Sequence, residues 1–594
     1  MNIKIWARLL PYLKNLKKPL IIGFITMLVS SAIEGAYPLF TRYAVDKFVT
    51  PGTTRGIGAF ALAFFALILV NGVAAIAWSR NSMVIEMRLG PALKRDCFVH
   101  LQELPLSYYN QNSVGYLISR VMSDTDRIAG LISWGVMQLL GSTFYTIGSF
   151  VYMFALNARL ALVLLAVLPV AALVTWLLQK KLLVVNRRVR DVNSRISGAY
   201  NEGITGAKTS KTLVIEDRNS VEFGELTAGM YRESVRAARL QALLMQLMLI
   251  IGSVAVGVVL LRGGYLVADD MLAYGVLAAF ITYAISIIDQ ISEISRILSD
   301  SLSAQACVER VAALLDEPRT VTDTPEVEAK YGGVFDPKRE NWEPLAGRVT
   351  FENVWFKYPD GDDYILEDFS LDVPAGSTVA IVGETGAGKS TIVNLVCRFY
   401  EPTSGRVLLD GRDARERSLL WLHSSLGYVL QDPHLFSGTI LDNIRYGKLG
   451  ASDEEVTAAA RLVSADGIAE RLRDGYLTEV GEGGDMLSTG EKQLISFARA
   501  VIANPPLFVL DEATSSIDTE TEKLIQDAIS HILNGRTSFI IAHRLSTISR
   551  ADLILVVDDG KIVERGTHSE LLAQGGHYSA LYTAMRIDEE SAGL

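Results

Sequence analysis

Residues 378–391 read Thr378-Val379-Ala380-Ile381-Val382-Gly383-Glu384-Thr385-Gly386-Ala387-Gly388-Lys389-Ser390-Thr391. The first five residues predict a buried strand, and Ile392–Phe399 beyond them predicts a helix. Between the two lies GxxxxGK[ST], in the strand–loop–helix setting that gives this spacing its meaning. Glycines let backbone N–H groups wrap around phosphates, and the following helix presents its positive dipole end to them. Gly383, Glu384, Thr385, Gly386, Ala387, Gly388, Lys389, Ser390 and Thr391 are therefore candidate nucleotide-binding residues. Lys389 is placed to reach the β- and γ-phosphates of ATP, and Ser390 to ligate Mg2+.

Working downstream, short Val/Ile/Leu strands alternate with helices from Arg348 onward, which predicts an α/β domain. Leu507-Phe508-Val509-Leu510-Asp511-Glu512 is an apolar strand ending in two acids. A charged strand end is often plain solvation. Beside a phosphate loop, Asp511 reads as a holder of Mg2+ through water and Glu512 as the general base that polarises the attacking water.

Working upstream, the composition changes near Asp300. The chain has 594 residues, too many for one core, and combines 21% charged residues with a mean hydropathy of +0.26. The apolar share is concentrated in six stretches: Leu20–Phe48, Ile57–Trp78, Ile128–Leu156, Leu160–Leu178, Leu240–Leu261 and Met271–Ile294. Most reach the length that a bilayer requires. The connections after the first, third and fifth are short. Those after the second and fourth are long and charged, keep helical patterning, and carry most of the Lys and Arg of this half. That bias predicts cytoplasmic long connections and termini, with spans two to five continuing as helices into the cytoplasm. Residues 1–18 predict an amphipathic helix on the inner membrane surface. Val308–Asp316 predicts a last amphipathic helix, and Glu317–Leu345 reads as a linker. The expected domains are 1–300 (transmembrane, with long intracellular helices), 301–345 (linker) and 346–594 (nucleotide-binding). A net charge of −10 argues against nucleic acid as a partner, and Cys97, Cys307 and Cys397 have neither metal nor disulfide spacing.

With these residues in place, the chain resembles the ATP-binding cassette (ABC) family over nearly its whole length, as a half-size exporter. The resemblance implies an N-terminal all-α six-helix transmembrane domain of ABC exporter type and a C-terminal α/β P-loop nucleotide-binding domain. It makes Tyr358, in Lys357-Tyr358-Pro359, the residue that stacks on adenine. Gln431 matches the glutamine that senses Mg2+ and the reacting water, His543 the switch histidine at the γ-phosphate, and Asp518 the loop crossing the dimer interface. Leu104–Tyr109 with Gly115 and Arg120, and Glu202–Asp217, resemble the two intracellular loops whose short helices couple the halves of such exporters. In the family two cassettes sandwich two ATP molecules, each between one chain's phosphate loop and the other's signature motif.

The signature departs from the family's LSGGQ: it reads Leu487-Ser488-Thr489-Gly490-Glu491. Ser488 and Gly490 are retained as the residues facing the partner's γ-phosphate. Thr489 is β-branched where Gly gives close approach, and Glu491 either places a carboxylate near a polyphosphate or simply favours the helix start. An altered signature beside an intact Glu512 resembles one chain of heterodimeric bacterial exporters, so the expected partner is a second, different half-transporter, with a homodimer as the alternative. The expected location is the inner (cytoplasmic) membrane, multi-pass, with both termini and the ATP domain cytoplasmic. The expected cargo is an amphiphilic drug-like molecule or a lipid, with Glu34 and Asp289 inclining the cavity toward cationic amphiphiles. A homodimeric lipid or drug flippase, an exporter-shaped importer of siderophore-like cargo, and a non-transport ATPase are the competing readings.

Overall fold

The computed structural model describes residues 3–511, 519–542 and 544–592. The chain divides into two compact units, Met1–Gln102 with Ser113–Glu317, and Glu103–Asn112 with Pro318–Leu594.

The first unit holds six long apolar helices: α1 (Lys17–Val49), α2 (Ile57–Glu103), α3 (Val114–Leu156), α4 (Ala158–Thr205), α5 (Glu216–Ala268) and α6 (Tyr274–Leu315). An α-helix satisfies its backbone groups internally, the condition for crossing a bilayer. At 1.5 Å per residue, α2, α4 and α5 are about 70–80 Å long, more than twice the hydrocarbon thickness. Each is thus longer than a bilayer is thick. The sharp reversal between α3 and α4 is made by one extended residue, Asn157, whose side chain accepts the Leu160 N–H and caps α4. The sixth apolar stretch enters its helix at Tyr274, after the extended Ala273. Val308–Leu315 is no separate helix, because α6 runs unbroken through it.

Among the six spans α6 is the most buried and α2 the least. Phe280 and Tyr283 of α6 are fully buried, and the Tyr283 hydroxyl donates to the Gly35 carbonyl of α1 at 2.6 Å. Nearer its C-terminal end α6 is clamped to α3. The buried Asp124 accepts from Arg120 at 2.8 Å and from Arg310 at 2.6 and 2.9 Å.

In the second unit, β1 (Val349–Phe356) and β2 (Leu366–Val373) pair antiparallel and alternate between core and solvent. β3 (Thr378–Val382) is buried at every residue. β4 (Ser404–Leu409) returns to β1 and completes the smaller sheet with the two-residue strand Arg412–Asp413. β5 (Leu426–Val429), β6 (Leu507–Asp511), β7 (Thr537–Ile541), β8 (Leu553–Asp558) and β9 (Lys561–Gly566) join β3 in a six-stranded sheet of order β9-β8-β3-β7-β6-β5. It is parallel except at β9. Strands covered on both faces read as unbroken apolar runs, which is why β3 and β6 stood out in the sequence.

The stretch expected as a linker is ordered on this unit. Arg398, 2% exposed, binds Asp323 at 2.9 Å and Glu401 at 2.7 Å and donates to the Arg417 and Thr322 carbonyls. The buried Trp421 donates its Nε1–H to the Glu343 carbonyl at 2.7 Å.

Candidate functional site

The loop after β3 turns on glycines that a side chain could not replace at equal cost. Gly383 has φ +152°, and a Cβ there would lie 2.1 Å from the Val557 carbonyl oxygen. Gly386 and Gly388 have φ of +91° and +100°. The loop delivers the chain into helix α7 (Lys389–Val396) with Gly388 at its N-cap. Glu384, Thr385 and Gly386 are exposed, Ala387 is buried, and the Ala387 carbonyl accepts the Gly560 N–H at 3.1 Å.

Lys389 is buried and folds back into its own loop, its Nζ donating to the Gly383 and Glu384 carbonyls at 2.7 and 2.8 Å. Burial pulls its pKa down, opposed by the negative charge of Asp511. A polyphosphate would give this ammonium anionic acceptors in place of neutral carbonyls. Ser390 is exposed at the first turn of α7.

The remaining described candidates gather by topology. In parallel strands all C-terminal ends lie on one edge, the usual place for ligands in α/β sheets. There the phosphate loop leaves β3 after Val382, Asp511 ends β6, and the exposed Gln431 follows β5 by two residues. Ile541 of β7 lies in register with Ile381 on one side and Asp511 on the other. A serine hydroxyl, a carboxylate and an amide oxygen are hard oxygen donors that suit Mg2+, a cation that keeps several waters. Glu512, Asp518 and His543 lie outside the described residues.

Tyr358 stands beside this loop. Its hydroxyl is 3.0 Å from Thr391 Oγ1 of α7, and its ring meets Phe356 and Tyr400 edge-on at 5.0 and 5.1 Å. Tyr400 in turn receives Asn110 Nδ2 on its hydroxyl at 3.3 Å, from the short helix Leu106–Gln111. Burial raises the Tyr400 pKa. Tyr400 and Asn110 went unnoticed in the sequence, where neither carries a spacing signal.

The signature segment starts helix α8 (Thr489–Val501) with Ser488 as N-cap. Thr489 occupies an ordinary helical position, so its β-branch asks nothing unusual of the backbone. Gly490 is buried. Glu491 closes a capping box: one carboxylate oxygen accepts both the Ser488 N–H at 2.9 Å and its hydroxyl at 3.0 Å, while the other is 2.9 Å from Arg471. The Ser-x-x-Glu spacing announces the box. Arg471, twenty residues upstream, had no such signal.

The first unit contains a cavity of about 990 Å3 walled by α4, α5 and α6. Met245, Met248 and Leu249 make it apolar, while α6 contributes three acids, Asp289, Glu293 and Asp300, and one cation, Arg296, to its wall. Arg296 pairs with Glu293 at 2.6 Å and Asp300 at 3.1 Å. Glu34, expected to act with Asp289, does not line this cavity; it accepts from Ser30 of α1 at 3.3 Å.

Six membrane-capable helices and a phosphate loop on a parallel sheet define a multi-pass membrane protein driven by nucleotide hydrolysis. Residues 20–291 match the family described as ABC transporter transmembrane region, and residues 366–515 the family described as ABC transporter. The chain is 35% identical to an uncharacterised ABC transporter ATP-binding protein of Bacillus subtilis, over 98% of this chain and 94% of that protein. It is 33% identical to an ATP-dependent lipid A-core flippase of Desulfotalea psychrophila, over 98% of both. It is also 39% identical to a fatty acid ABC transporter ATP-binding/permease protein of Mycobacterium bovis, over 86% of this chain and 79% of that one. A bacterial Atm1-family ABC exporter solved with ATP bound superposes with a TM-score of 0.79 at 27% identity, covering 97% and 98% of the two chains. The protein belongs to the ABC transporter family, as a half-transporter of exporter type whose ATP hydrolysis is coupled to transport.

Proposed function

We propose that this chain pairs with a second half-transporter in the inner membrane and exports an amphiphilic small molecule or lipid, with its ATP unit and both termini in the cytoplasm. The observation that carries this reading is the convergence of the phosphate loop, Asp511 and Gln431 on one sheet edge of a chain that also holds six membrane helices. The working division is 1–300 for the membrane part, 301–345 for the linker and 346–594 for the ATP part. Residues 383–391 cradle the phosphates, with Lys389 as their counter-charge, and Tyr358 leaves Thr391 to stack on adenine. Ser390, Asp511 and Gln431 would hold Mg2+, which would supply positive charge against the phosphates. Glu512 takes the proton of the attacking water, and His543 donates to the γ-phosphate. Ser488, Gly490 and Asp518 face the nucleotide held by the other half. The cargo reading is supported by the mixed apolar and acidic cavity and by the two relatives named for lipid A-core and fatty acid.

A heterodimer is favoured over a homodimer because the signature alone departs from the family pattern. ATP hydrolysis by the chain purified alone in lipid, with Lys389→Ala as control, decides between them. Vanadate-sensitive activity lost in the control establishes a working homodimer. Inactivity of the folded chain, restored by co-expressing a neighbouring half-transporter, establishes the heterodimer. ATP-dependent accumulation of a lipidic dye in inverted vesicles establishes export, and its loss from them would overturn it in favour of uptake. Cargo movement indifferent to Lys389→Ala would sink the transporter reading altogether.

A further inference from the structure

The N-terminus of α8 already holds an anion. Ser488 offers two donors there, its N–H and its hydroxyl, and both are taken by one oxygen of Glu491 at 2.9 and 3.0 Å. The helix dipole favours a negative charge at this end, and the carboxylate supplies it from within the chain. The second oxygen of Glu491 is bound by Arg471 at 2.9 Å, at the end of the short helix Asp466–Arg471. Glu491 is mostly shielded while Arg471 is exposed, with side-chain accessibilities of 22% and 70%. The carboxylate is thus held between a serine it caps and an arginine able to follow it.

From this geometry we propose that Glu491 is a gate on the signature segment, competing with the nucleotide γ-phosphate for Ser488, and that Arg471 is the positioning residue that draws it aside. The inference rests on the reading that Ser488 faces a nucleotide held by the other half. A phosphate approaching α8 meets both an occupied donor pair and a like charge. The sandwich closes when the Glu491 carboxylate leaves Ser488 and turns wholly to Arg471. A glutamine here would keep the cap, since its side-chain oxygen can accept the same N–H, but would not repel a phosphate. The carboxylate therefore makes closure on this side demand more ATP.

The test uses the intact dimeric transporter in lipid and measures the ATP concentration for half-maximal hydrolysis in Glu491→Gln, Arg471→Gln and the double variant, with thermal unfolding to show that the cap survives. Glu491→Gln is expected to lower that concentration about threefold to tenfold, the range of a partly screened charge at a helix end. Arg471→Gln is expected to raise it, and the double variant to behave as Glu491→Gln alone, because Arg471 acts only through Glu491. An unchanged or impaired Glu491→Gln enzyme overturns the proposal, as does an Arg471→Gln defect that persists in the double variant. Lys389→Ala separates the two levels: if hydrolysis survives it, the cassette reading has failed and not the gate alone.

Discussion

At the residue scale, Gly383 and Gly386 share one loop, yet a methyl group would affect them differently. At Gly386 the added Cβ meets nothing within 4 Å, so Ala there carries only the cost of φ +91°, about 1–2 kcal/mol. At Gly383 it would strike the backbone of β8 at Val557. Gly386→Ala is therefore expected to fold and bind a fluorescent ATP analogue several-fold more weakly. Gly383→Ala is expected to lose binding and lower Tm by several degrees; equal behaviour of the two would refute this account. The loop was legible from spacing because phosphate binding depends on backbone shape, which glycine spacing encodes. The inward curl of Lys389 was not, since it depends on carbonyls that converge only once the loop has turned.

At the scale of elements, the linker and the ATP unit are joined through Arg398. It is a buried cation with two carboxylates and two carbonyls around it. Arg398→Ala leaves Asp323 without its charge partner in a nearly closed setting, and removing one member of a buried pair costs about 3–5 kcal/mol. Thermal unfolding of the full chain should fall well below that of Arg398→Lys, which keeps a charge; a difference near zero would mean that the linker is held elsewhere. The extensions of α2, α4 and α5 were readable because their connections lack Gly/Pro-rich breaks. The merger of Val308–Leu315 into α6 was not. The composition shift near Asp300 marks where the helix meets a different environment, and the backbone hydrogen-bond ladder continues across it.

On the scale of the whole membrane unit, Asp289 lies about 22 Å along α6 from its start, at 1.5 Å per residue, and so within the span of a bilayer. It shares a cavity wall with Glu293 and Asp300, whose charges Arg296 engages. A cationic amphiphile would find apolar walls and an acid there. Asp289→Asn is expected to cut export of a cationic dye about fivefold, the size of a half-screened charge contact, while sparing a neutral lipid analogue. Equal loss for both cargoes would count against a charge role. Glu34→Gln should have little effect on either, since Glu34 stands apart from the cavity.

By itself, the sequence determined the six spans, the α/β unit and the phosphate loop, because each depends on local properties: apolar length, strand and helix periodicity, and glycine spacing. Tertiary structure alone decided which separated residues act together. It turned Tyr358 onto Thr391 and stood Tyr400 between Tyr358 and Asn110. It brought Arg471 to Glu491, twenty residues on, and it put Asp289 but not Glu34 on the cavity wall. Hydrogen bonds and ion pairs act over a few ångströms in space, and chain spacing fixes that distance only within one helix turn or one loop.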